Sequence, residues 1–178
     1  MTNASLTRFA CVALVLILSG TSALKSHFVL ASQAFADGQA IPKDYSYDGY
    51  GCTGKNVSPE LHWSGAPEGT KTFALTVFDP DANGGKGWWH WVVSNIAAST
   101  RELSQGDPSP GAQAKTDFGA AGYGGPCPPP GDAPHHYVFT LYALDSEIEG
   151  TTSNGPALLE AIKGHILAKA VLVGRFGR

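Results

Sequence analysis

Charge is the first thing this chain lacks. Asp, Glu, Lys and Arg make up 15% of its 178 residues, and the net charge is −3. No basic stripe or run stands out, which argues against nucleic acid as the main partner. The glycine pattern of dinucleotide-binding folds is missing, and no segment repeats. No serine or cysteine nucleophile stands at a recognisable spacing from a paired base, which argues against a hydrolase. Cysteine is scarce, with three residues in the whole chain. The one long apolar run, Phe9–Leu18, is shorter than the roughly 20 residues that a spanning helix needs.

What is present points to a compact, turn-rich fold. Hydrophobic residues make up 43% of the chain, with 22 Gly and 12 Pro and no collagen-like period. The length suits one domain plus a processing segment. Arg8, the apolar run and then Ser19-Gly20-Thr21-Ser22-Ala23 form a secretory signal pattern. Cleavage is expected after Ala23, with Ala31 and Ala36 as later alternatives; an uncleaved anchor is the competing reading. This gives a signal segment over 1–23 and a single domain over 37–178, exported to a periplasm or secreted, with membrane contact at most peripheral. No cysteine follows the exit, so no lipid-modified terminus is expected. Removing the leader removes Cys11 and leaves Cys52 and Cys127, both in glycine-rich loops. In an exported chain they form a disulfide or remain two free buried thiols.

Strands dominate the remainder. Tyr45–Gly54 reads as a short strand opening into a loop, and Glu60–Trp63 as another short strand. Asn56-Val57-Ser58 fits a glycosylation sequon or an ordinary polar loop cluster. Lys71–Phe78 places Phe73, Leu75 and Val77 on one face by the period of two. Trp88–Ala97 is rich in aromatic and β-branched residues, with His90, Val92 and Ser94 alternating against Trp89, Trp91 and Val93. Residues 99–134 show no period. His136–Leu144 is a third strong strand. Asn154-Gly155-Pro156 reads as a helix start, with Leu158, Leu159, Ile162 and Ile166 at helical spacing to about Leu167. Ala170–Phe176 closes the chain as a strand. The fold class is a mostly β, antiparallel β-sandwich with a short C-terminal helix.

Polar side chains gather at the strand ends. Asp79 and Asp81 follow the first strong strand, His90 enters the second, and His135 and Tyr137 enter the third behind a Gly- and Pro-loaded loop, Tyr123–Asp132. Hairpin pairing is expected to bring Asp79 to His90, fixing the ring's tautomer and raising its pKa. Two histidines, a tyrosine hydroxyl and glycine N–H groups would suit a phosphate or carboxylate.

Taken together, Asp79-Pro80-Asp81-Ala82, Trp88–Asn95, Gly124-Gly125-Pro126 and His135-His136-Tyr137 resemble the phosphatidylethanolamine-binding protein family, also called Raf kinase inhibitor-like proteins. The form Tyr123–Pro129 and the segment Gly164–Ala168 resemble its bacterial branch. The resemblance implies a central antiparallel sheet on a smaller one, with C-terminal helical structure near a small anion pocket. It implies ligand contacts at Asp79, His90, His135 and Tyr137. It also implies a backbone N–H from Gly125, loop support from Asp81 and a wall at Pro126. Asn83 departs from a Pro in the motif, and His136 from a common Arg. The reading is a non-catalytic exported binding protein with a small anionic ligand and no cofactor. An inhibitor or modulator of a protease or signalling protein is the alternative, and a hydrolase or metalloprotein the third.

Overall fold

The structure, a computed structural model, describes residue 1 and residues 27–108, 110–150 and 152–178; the signal segment expected over 1–23 lies outside all of these but residue 1. Ten strands follow in chain order: β1 (Val29–Ala31), β2 (Asp48–Gly49), β3 (Cys52–Thr53), β4 (Leu61–Ser64), β5 (Thr72–Asp79), β6 (Trp88–Ala97), β7 (Glu102–Leu103), β8 (Ala112–Gln113), β9 (His135–Leu144) and β10 (Ile166–Phe176). They form a five-stranded sheet in the order β10-β9-β5-β6-β8, a three-stranded sheet β1-β4-β7, and the hairpin β2-β3. Every pairing within these sheets is antiparallel. The two larger sheets share one core, so the expected sandwich is the fold.

Alternation in β5 and β9 builds that core. Phe73, Leu75 and Val77 meet Tyr137, Phe139 and Leu141 between the sheets, with Leu30 and Trp63 from the smaller sheet. Burying each such side chain contributes roughly 2 kcal/mol. The other face of the large sheet carries a second cluster, in which Ala74, Val92 and Tyr142 pack with Leu158 and Ile162.

Four expectations change. The folded unit starts before residue 37: β1 pairs with β4, and Phe35 is buried in the core, so a cut after Ala36 would remove a strand and a core ring. Tyr45–Gly54 is a 3-10 turn (Lys43–Tyr45) followed by the β2-β3 hairpin, whose tip places Tyr50 and Gly51 at φ of 49° and 80°. The helix ends at Ala161, not near Leu167. Gly164, at φ 89°, turns the chain, and Ile166 then pairs with Leu144 as the start of β10. The helical spacing of Ile166 was coincidental, because sheet pairing claims that residue. Its start is as expected: the Asn154 side chain accepts the Ala157 N–H at 3.0 Å.

The last change concerns β6. Val77 pairs with Trp91 and Phe78 with Trp89, so His90 is an extra residue on β6. This bulge resets the alternation. Trp89 packs with the Val92 cluster on the helix side, whereas strict alternation grouped it with Trp91 and Val93.

Candidate functional site

A cavity of about 580 Å³ opens where β5, β6 and β9 end. Its lining includes Asp79, Asp81, His90, His135 and Tyr137, so the structure brings together five of the seven expected ligand residues.

Asp79 ends β5 and is almost fully buried. Pro80 bends the chain so that Oδ1 accepts the Asp81 and Ala82 N–H groups at 2.9 and 3.1 Å, an Asx-type turn. Its Oδ2 takes the Nδ1–H of His135 at 2.8 Å. The carboxylate therefore orients His135, not His90 as the hairpin argument expected. The bulge turns His90 away from that pairing. Its Nδ1 donates to Gly124 O at 2.7 Å, and Gly124 N–H donates back to His90 O at 2.8 Å. Burial pushes the His90 pKa down to about 4; the Gly124 carbonyl and the Asp79 charge pull upward without compensating. The expected rise is thus a fall, and in the neutral ring, with the proton on Nδ1, Nε2 is an acceptor.

Tyr137 alternates into the core, with its ring edge-on to His90 at a centroid distance of 5.0 Å. Its hydroxyl lies close to the Asp79 carboxylate and the Cys127 backbone N–H, but neither contact reaches hydrogen-bond geometry. Burial and the Asp79 charge raise its pKa, so the proton stays on. Trp88 Nε1, also on the cavity, is likewise buried without a partner, whereas the third such atom, Trp63 Nε1, belongs to the inter-sheet core. Two residues that line the cavity thus carry donors unpaired among the described residues. An unpaired buried donor costs roughly 1–3 kcal/mol, which a bound acceptor would recover.

Asp81 supports the loop. Its Oδ2 accepts from the His136 backbone N–H at 2.7 Å and from His136 Nδ1 at 2.8 Å. Partial burial alone would raise its pKa, but the His136 donors outweigh it and the net shift is downward. Asn83, in place of the motif's Pro, holds a left-handed backbone and lines the cavity.

Gly125 and Pro126 sit elsewhere than expected. The Gly125 N–H donates to Asn56 Oδ1 at 2.8 Å, so it is not available to a ligand. Any Cβ on Gly125 would strike the backbone of Tyr45–Tyr47, which is why glycine is needed there. Pro126 lends its carbonyl to Tyr47 N–H at 3.0 Å and is not on the cavity, which Cys127, Pro128 and Pro129 line instead. The Cys52–Cys127 disulfide is formed, with Cα atoms 5.9 Å apart, and staples the hairpin to this loop.

The remaining wall was not foreseen. Tyr50 comes from the hairpin tip and Phe118 from the long irregular segment; Phe118 stacks on Tyr47 at 4.4 Å between centroids. Asp117 positions that segment by accepting Trp89 N–H at 2.7 Å. Asp132 reaches His135 Nε2 at 3.7 Å. Hairpin and loop lie far apart in sequence, so only Cys52 and Cys127 hinted at their meeting. The helix Gly155–Ala161 lines no part of the cavity; it packs on Trp89, whose indole leaves no room for a Cβ on Gly155. Among the described residues no Lys or Arg lines the cavity.

Fold and site define a class: an antiparallel β-sandwich with a small buried-donor cavity at the ends of its central strands. The family model described as phosphatidylethanolamine-binding protein matches residues 31–177, and the chain belongs to that family. YbcL of Escherichia coli (strain K12) is 44% identical over 156 residues, 83% of this chain and 85% of its own. The crystal structure of E. coli YbcL, titled as a new member of the mammalian PEBP family, superposes with a TM-score of 0.80 at 40% identity, covering 85% of this chain and 98% of that one. A Mycobacterium tuberculosis protein named as a lipoprotein, LppC, is 42% identical over 151 residues, 83% of this chain and 71% of its own.

Proposed function

We propose that this chain is an exported, non-catalytic binding protein whose cavity takes a small singly charged phosphate- or carboxylate-like group. The observation that carries this reading is the buried Tyr137 hydroxyl, a donor unpaired among the described residues on a side chain that lines the cavity, with a second such donor on the cavity residue Trp88. The ligand's oxygens accept from both. His90 Nε2, bare at neutral pH, accepts an O–H of the ligand or takes a proton as the anion enters. Asp79 serves as a support: all its oxygens are engaged, and it holds the His135 ring in place. Export is supported by the N-terminal signal pattern, by the disulfide, which persists in oxidising compartments, and by the name of the LppC relative. No helix among the described residues is long and apolar enough to cross a membrane.

The test is a titration of the mature protein with inorganic phosphate and acetate, followed by the ring nitrogen resonances of its histidines. Saturable shifts at His90 and His135, with His62 and His165 unmoved, are expected. No response at either cavity histidine would remove the anion reading.

A further inference from the structure

One carboxylate in the cavity makes no side-chain hydrogen bond among the described residues. Asp79 is satisfied by two backbone N–H groups and His135, and Asp81 by His136. Asp132 faces His135 Nε2 at 3.7 Å, beyond hydrogen-bond length. That nitrogen is the atom of His135 left over once Nδ1 is committed to Asp79, and so the one through which the ring would meet a ligand.

The position of Asp132 is built. Pro128, Pro129 and Pro130 fix φ along the approach. Asp132 N–H closes a turn onto Pro129 O at 3.3 Å, and the preceding Gly131 N–H donates to Arg178 O at 3.0 Å. Arg178 Nε grips Pro128 O at 2.6 Å. The turn is tied to Arg178 at Pro128 and at Gly131, and the Asp132 side chain, half-exposed, stands at the cavity mouth.

We propose that Asp132 is a charge gate that sets ligand specificity: its carboxylate stands against His135 Nε2, where a ligand's anionic group would sit. This rests on the anion reading above. An incoming group must displace Asp132 from the ring or share the ring with it, and among the described residues no cavity Lys or Arg offsets the repulsion. The cavity therefore favours a singly charged phosphodiester- or carboxylate-like group over a dianionic phosphomonoester. A unit charge a few ångströms away in a half-solvated mouth changes binding of a second charge by about five- to tenfold.

The experiment compares wild type, Asp132→Asn and a remote charge control, Glu68→Gln, by calorimetric titration at pH 8 in low salt. The probes are inorganic phosphate, mostly dianionic there, and dimethyl phosphate, always a monoanion. Asp132→Asn is expected to bind phosphate about five- to tenfold more tightly and dimethyl phosphate with a smaller gain, while Glu68→Gln matches wild type. Equal or weaker phosphate binding by Asp132→Asn, with wild type still binding dimethyl phosphate, would overturn the gate alone and assign Asp132 to supporting the His135 ring. If no protein binds either probe, the anion reading fails and the gate with it.

Discussion

The cavity has a floor made of strand ends and a wall made of loops, and the two are held by different physics. On the floor, Asp79, His90, His135 and Tyr137 are placed by ladder register and one bulge between neighbouring strands. On the wall, Tyr50, Phe118, Cys127 and Pro128 come from segments that no ladder joins. They are held by the disulfide, by Asn56 on Gly125, and by Arg178 on Pro128. The floor is thus part of the cooperative core, whereas the wall depends on a few discrete ties. Changes to the floor should alter chemistry, and changes to the wall should alter stability and access.

The largest effect is expected on the wall. The bridge closes a loop of 75 residues in sequence separation, and replacing both Cys52 and Cys127 with Ala should cost about 4 kcal/mol, read from the urea midpoint. An unchanged midpoint would mean that the hydrogen bonds hold the wall alone.

Next comes the floor's response to acid. The folded pKa of His90, about 4, lies below its ordinary value of 6.5, so between these values the unfolded chain binds the extra proton. Stability attributable to this ring is full above about pH 6.5, falls as pH drops, and is lost by about pH 4, a total of about 3 kcal/mol. His90→Gln should flatten that part of the stability profile. A wild-type profile already flat between pH 6.5 and 4 would show that the ring is charged in the folded state.

Asn56→Ala should cost about 1–2 kcal/mol, because the Gly125 N–H and the Tyr123 carbonyl each lose a partner. It should also weaken phosphate binding and lower the His90 pKa further, since the loop that Asn56 holds at Gly125 carries the Gly124 carbonyl to which the ring donates. An unmoved His90 titration would show that the loop keeps its place on the ring without Asn56.

The same division explains what could be read from the chain alone. The three long strands were legible because Phe73, Leu75 and Val77, or Phe139 and Leu141, alternate over many residues. Asp79, His135 and Tyr137 lie at their ends and came with them. The partner of Asp79 was not legible, since alternation says nothing of a bulge, and one extra residue at His90 redirects the ring to Gly124. Gly125 and Pro126 carried a visible glycine–proline signal, but composition cannot tell a backbone that meets a ligand from one pressed against Tyr45–Tyr47. Phe118 and Asp132 depend on long-range packing of an aperiodic segment, and β1 is too short and too close to the signal-like leader to stand out.

The most direct measurement is on Tyr137→Phe, following urea stability and phosphate affinity in the same samples. Because the hydroxyl is buried with no partner in hydrogen-bond geometry among the described residues, its removal should leave the ligand-free protein unchanged or more stable by up to about 1 kcal/mol, and weaken phosphate binding about tenfold. A loss of stability with unchanged affinity would contradict this account, for it would make the hydroxyl part of the core instead of the binding site.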